Sequence, residues 1–261
     1  MQLAIRADVF HRALKSTAFA ASRDFDPRRP AFSGVLLDVT PRKFRAVATD
    51  GYRLALFETD DGYDCREPVT AILSARELVE LKLPRASNAI FKITINDTEA
   101  VIQYEKAGFS MPVIQARYPN YFAVFPPIEG SITLRCEKTA LFEALKKIKR
   151  ETTRKNRSVF FWVRPGFIAV AAENANTISP VRIEARSDYS MDGIADCNYL
   201  LDAAQALPTG DVQIRIVPPY ERRLISNAIE LSPVVQSPFT IRQLVMPCWR
   251  SSIPPLPGVD S

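Results

Sequence analysis

Apolar residues recur along this chain with two periods, three to four in a few stretches and two in many more. Leu3, Ile5 and Val9 open a first unit. The spacing predicts a helix over about 9–21, with Asp8 as its N-cap. Phe10, Ala13, Leu14, Thr17 and Ala18 form its buried stripe, and His11, Arg12 and Lys15 lie off it. Alternation then predicts strands over 34–39, 44–49 and 53–59. Ser74 is placed to cap a second helix, 75–83, which Pro84 ends. Three more strands are expected over 91–95, 100–104 and 109–114.

The same order returns. A strand over 132–134 leads to a helix opened by Glu137, with Leu141, Leu145 and Ile148 on one face. Strands follow over 159–163, 167–172 and 178–185. Asp196 caps a helix that passes through Leu200, Leu201 and Leu207 and stops at Pro208. The last strands cover 212–217, 224–231 and 239–246. Letters repeat as well: Phe44-Arg-Ala-Val-Ala-Thr-Asp50 sits over Phe167-Ile-Ala-Val-Ala-Ala-Glu173. The chain therefore reads as two copies of one unit joined near Phe125-Pro126-Pro127, giving domains 1–126 and 127–250 and a proline-rich tail, 251–261. Strands dominate and two helices per domain pack on antiparallel sheets, an α+β class.

Composition narrows the function. Of 261 residues, 47% are apolar, enough for real cores, and the formal net charge is +5. That balance favours acidic partners, nucleic acid above all, although a mildly basic protein need not bind one. Cys65, Cys136, Cys197 and Cys248 form no CxxC pair, so reduced thiols in a cytoplasmic protein are expected, with no metal and no cofactor. No apolar run is long enough to span a membrane.

No catalytic set is legible. His11 is the single histidine and sits among basic residues, as a solvated or phosphate-facing side chain. There is no GxSxG, P-loop or GxGxxG, and no carboxylate cluster with metal spacing, so an enzyme is not expected. The cations carry more information. Arg12 and Lys15 share a polar helix side, and Lys146, Lys147, Lys149 and Arg150 crowd the end of another, with Arg154, Lys155 and Arg157 beyond. The helix dipole accounts for one or two such charges and not for seven. Sequence-independent contact with duplex phosphates accounts for them better.

One stretch ties these readings together. Ala48-Thr49-Asp50-Gly51-Tyr52-Arg53-Leu54-Ala55 reads as two strands meeting at an Asp-Gly corner. It resembles the signature hairpin in the second domain of the bacterial sliding clamp family, the DNA polymerase III β subunit. Four further stretches follow in the family's order. They are Arg29-Pro30-Ala31-Phe32-Ser33-Gly34-Val35-Leu36-Leu37, Tyr118-Pro119-Asn120-Tyr121, Asn198-Tyr199-Leu200-Leu201-Asp202-Ala203 and Leu244-Val245-Met246-Pro247. The resemblance runs from Leu3 to about Arg250 and covers the second and third of the family's three domains.

The resemblance implies two tandem DNA-clamp domains and a processivity factor that encircles duplex DNA without chemistry of its own. It implies a hydrophobic groove for short peptides of DNA polymerase, clamp loader and repair proteins. The matching positions are Phe32, Thr49, Gly51, Tyr52, Arg53, Leu54, Pro119, Val124, Leu244, Val245, Met246 and Pro247. Arg53 is expected to orient the peptide's polar atoms. Family rings hold six domains, so two domains per chain imply a homotrimer. Its joint is expected around Val79, Phe109 and Met111, against Ile148, Arg150 and Glu151 of the next copy. Ala123 stands where the family commonly has arginine, and Cys248-Trp249-Arg250 replaces its usual ending. A module that docks the same peptides without closing a ring is the alternative. Ile253-Pro254-Pro255-Leu256-Pro257 either frays or dips into the groove.

Overall fold

The computed structural model describes residues 1–81, 83, 89–173, 178–217, 228–234, 238–248 and 253–258. The chain divides into two units, Met1–Tyr121 with Ser237–Arg242, and Phe122–Gln236 with Gln243–Ser261. The proline-rich tail thus belongs to the second unit.

The first unit runs β1 (Gln2–Arg6), α1 (Ala7–Thr17), β2 (Gly34–Thr40), β3 (Lys43–Thr49), β4 (Arg53–Thr59), β5 (Tyr63–Asp64), β6 (Val69–Ser74), α2 (Ala75–Glu80), β7 (Ile90–Ile95), β8 (Glu99–Tyr104) and β9 (Ala107–Pro112). Its strands order as β5-β1-β7-β8-β9 and as β6-β2-β3-β4, with antiparallel pairing throughout. Alternation buries Val35, Leu37, Val39, Phe44, Ala46 and Ala48 completely on one face of β2 and β3, and α1 packs on β3 and β4.

Two local expectations are corrected here. Asp8 does not cap α1, because the helix starts earlier, after Arg6. Asp8 instead lies in the first turn, where it suits the positive helix end, and its Oδ1 pairs with Arg6 Nε at 3.1 Å. α2 ends at Glu80, ahead of Pro84, which lies outside the described residues. Ser74 does cap it, its Oγ accepting the Glu77 N–H at 3.3 Å.

The second unit runs β10 (Ile132–Glu137), α3 (Lys138–Lys149), β11 (Ser158–Arg164), β12 (Phe167–Ala172), β13 (Val181–Arg186), β14 (Met191–Asp196), α4 (Cys197–Ala206), β15 (Asp211–Ile216) and β16 (Ile229–Pro233), while β17 (Phe239–Val245) begins in the first unit and ends in the second. Glu137 caps α3 by accepting the Ala140 N–H at 2.7 Å, and Asp196 caps α4 by accepting from Asn198 N at 2.8 Å. Of the strand expected over 224–231, residues 224–227 lie outside the described residues. A small void of about 40 Å³ remains between the sheets and the helices, lined wholly by apolar side chains that include Leu141, Leu145, Phe161, Val170 and Leu200.

Alternation along the chain does not mark β6 or β14. Each pairs along β2 or β11 and runs directly into the N-cap of the next helix. The repeat is also out by one residue. Thr40 faces Lys43 across the first hairpin and Arg164 faces Phe167 across the second, so Phe167 corresponds to Lys43, not to Phe44. A slip of one residue exchanges the faces of a strand. Phe44 is accordingly buried against Phe57, whereas Phe167 is half-buried on the face away from the helices.

That second face is crossed by a strap in each unit. In the first, residues 113–121 do so. Ile114 N–H donates to Ile72 O at 2.8 Å, Tyr118 O–H to Val47 O at 3.3 Å and Tyr121 O–H to Asp38 Oδ2 at 2.5 Å. In the second, Cys248 N–H donates to Ile194 O at 2.9 Å, matching Ile114. Leu256, 3% exposed, then packs with Phe160, Trp162, Ala169, Ala171 and Ile194, and Trp162 Nε1–H donates to Pro254 O at 3.0 Å. The tail neither frays at Leu256 nor offers that side chain to a groove.

Candidate functional site

The Asp50-Gly51 corner is built by its own polar groups. Asp50 Oδ1 accepts from Tyr52 N and Arg53 N at 2.9 and 3.0 Å, an Asx arrangement. Thr49 Oγ1 donates to Arg53 O at 2.6 Å and accepts from Gly51 N at 3.0 Å. Gly51 has φ +91°, and a Cβ there would sit 3.1 Å from the Phe32 ring, so glycine is required twice over.

Arg53 departs from its expected role. Its side chain is 8% exposed, its Nε donates to Asp50 Oδ2 at 3.0 Å, and its guanidinium lies 5.5 Å from the centre of the Phe19 ring. It braces the turn, and the side chain the turn displays is Tyr52, 63% exposed. Beside the turn the first unit holds a cavity of about 590 Å³ between the segments Arg28–Phe32 and Ala116–Asn120. It contains Phe32 and Pro119 from the expected set and adds Arg28, Arg29 and Arg117, which the sequence reading did not assign. Arg29 reaches over Phe32, 5.9 Å from the ring centre.

The remaining expected groove positions divide by burial. Thr49, Leu54, Leu244 and Val245 are buried. Val124, Met246 and Pro247 keep partial exposure, and Pro247 bridges to Ala195.

The expected DNA-facing cations are all exposed. Arg12 and Lys15 project from α1, and Arg12 stacks 4.2 Å over Phe239. Lys146, Lys147, Lys149 and Arg150 project from the end of α3, whose Ile148 is fully buried. Lys146 pairs with Glu143 at the rim, 3.4 Å, and lies 5.9 Å from the centre of the Phe142 ring. Arg157 is spent on structure, pairing with the α4 cap Asp196 at 3.0 Å. Of the expected joint residues, Val79, Arg150 and Glu151 are exposed and Phe109 is half-buried. Met111 and Ile148 are core, and support that surface from beneath instead of forming it. β9, which carries Phe109, is the last strand of its sheet among the described residues.

Burial raises the thiols of Cys136 and Cys197, to about 12 and about 11, so neither is a nucleophile near neutrality. Among the described residues no group of three or more His, Cys, Asp or Glu side chains is arranged to hold a metal ion, and no helix is long and apolar enough to cross a membrane.

Two antiparallel α+β units of this kind define a clamp-type fold. The DnaN sliding clamp of Pseudomonas aeruginosa bound to griselimycin superposes with a TM-score of 0.84 at 18% identity, covering 96% of this chain and 66% of that one. The Bacillus subtilis sliding clamp superposes at 0.82 and 18% identity, over 96% and 64%. Residues 4–120 match the family described as DNA polymerase III beta subunit, central domain. The beta sliding clamp of Synechococcus elongatus is 25% identical over 256 residues, 94% of this chain and 64% of that protein, and that of Caulobacter vibrioides is 23% identical over 88% and 63%. The chain thus resembles the bacterial DNA sliding clamp, the DNA polymerase III β subunit, along nearly its whole length. It spans less than two thirds of the length of these relatives.

Proposed function

We propose that this chain is a sliding-clamp subunit, a non-enzymatic processivity factor that encircles duplex DNA and docks replication and repair proteins through short peptides. The clamp fold across nearly the whole chain carries the reading. The exposed cations of α1 and α3 support it, since mobile lysines meet phosphates without reading bases. A peptide-docking surface draws on the Phe32–Pro119 cavity and Tyr52 of the first unit. Arg53 serves there by holding the turn. The proposed assembly is a cytoplasmic homotrimer, joined through Phe109 and β9 on one copy and Arg150 and Glu151 on the next, a heterologous contact that closes by rotation.

The test combines mass and retention. Light scattering should give three chains per particle, and the assembled protein should stay on nicked circular DNA and leave it on linearisation. Reversing Lys146, Lys149 and Arg150 to glutamate should weaken binding and flatten its salt dependence. A stable monomer that still binds clamp-docking peptides would establish the module that never closes a ring.

A further inference from the structure

The second unit presents an apolar surface that the proposed clamp function does not use. Phe160, Trp162, Ala169, Ala171 and Ile194 face away from the helices, flanked by half-buried Phe167 and Ile178. At the positions corresponding to Trp162 and Ala169, the first unit carries Asp38 and Arg45. An apolar surface of this kind on a sheet's outward face calls for an occupant. Residues 253–258 show what fits it.

Three chemical features match. Leu256 is buried to 3% among the aromatic side chains and alanines. The Trp162 indole is a donor only, and it meets the Pro254 carbonyl at 3.0 Å. Pro254, Pro255 and Pro257 have no N–H, so the segment offers acceptors and brings few donors to be stranded on an apolar face. Prolines also fix φ in advance, which lowers the ordering cost of docking. The hold is light: Pro255, Pro257 and Gly258 remain exposed. The first unit's strap, by contrast, is pinned by the hydroxyls of Tyr118 and Tyr121.

We propose that the face of β11, β12 and β14 is a second peptide-docking site, specific for a short proline-flanked leucine segment. Residues 253–258 fill it in cis, and a partner protein's segment of the same Pro-Pro-Leu-Pro chemistry displaces them in trans. The inference stands apart from the groove and from ring closure.

Trp162 reports occupancy directly. In the full chain carrying Trp249→Phe, Trp162 is the single tryptophan. Leu256→Asp should release the segment and shift Trp162 emission to the red. A synthetic peptide Ser-Ile-Pro-Pro-Leu-Pro-Gly should then reverse the shift saturably. At least tenfold more peptide should be needed to compete with the unsubstituted segment, and the peptide with aspartate for leucine should do nothing. If Leu256→Asp alters the far-ultraviolet circular dichroism, Leu256→Ala carries the same test. Emission unchanged by release, or a shift that the peptide fails to reverse, overturns the site.

Discussion

The two strapped faces occupy equivalent places and are held by opposite chemistry. Asp38, Arg45 and Glu58 in the first unit correspond to Trp162, Ala169 and Arg182 in the second, through the registers of their hairpins. In the first, Arg45 Nε donates to Glu58 at 2.6 Å and its Nη1 lies 3.7 Å from Asp38, which also accepts from Tyr121. In the second, a leucine sits among aromatic rings. The strand order and the strap are common to both, while the means of adhesion is not. The backbone pattern sets where a strap crosses, and side chains decide whether it is held by directional bonds or by excluded water.

The largest expected effect is on the apolar side. Trp162→Ala removes a fully buried indole and a hydrogen bond, and should cost about 3–5 kcal/mol in urea unfolding. A cost below about 1 kcal/mol would mean the cluster is not a core. Tyr121→Phe should cost about 1–2 kcal/mol by leaving the half-buried Asp38 carboxylate short of a donor. It has a pH signature. Burial first, then the bond to Asp38, raises Tyr121 above its ordinary value of 10.0. The folded state therefore holds this proton more tightly. That stability is complete below about pH 10 and is lost as pH rises toward the raised value. Tyr121→Phe should flatten the alkaline slope, and an unchanged slope would remove the tyrosine from the account. The smallest effect belongs to the rim. Lys43→Ala, which breaks the 3.4 Å pair with partly exposed Glu58, should change stability by about 0.5 kcal/mol or less.

Much of this fold was legible because alternation and caps are local. Ser74, Glu137 and Asp196 cap as their positions imply, and Phe167–Ala172 is the strand the pattern marks. Asp8 misled because it is a good cap residue two positions past the cap at Arg6, where a salt bridge suits it as well. β14 hid because Gly193 interrupts its alternation. A Cβ there would strike the Phe161 ring, so that residue is fixed by a neighbour distant in sequence. The letter repeat misled by one residue because identity in a short run outweighed side-chain facing. The site was legible at its corner, where Asp50 and Gly51 announce a turn. It was not legible in burial: Leu54, Leu244 and Val245 are apolar whether they line a groove or fill a core. Leu256 lay further still from view, since its neighbours are strands early in the unit.

The small void behind Phe161 and Val170 has a consequence of another kind. Its lining gives water no partner, so the space stays dry while the unit is folded. Unfolding lets solvent reclaim that space, and the system shrinks as it does so. Compression therefore works against the second unit through a volume that neither heat nor denaturant addresses, and an aliphatic side chain one methylene longer at the void would stiffen it.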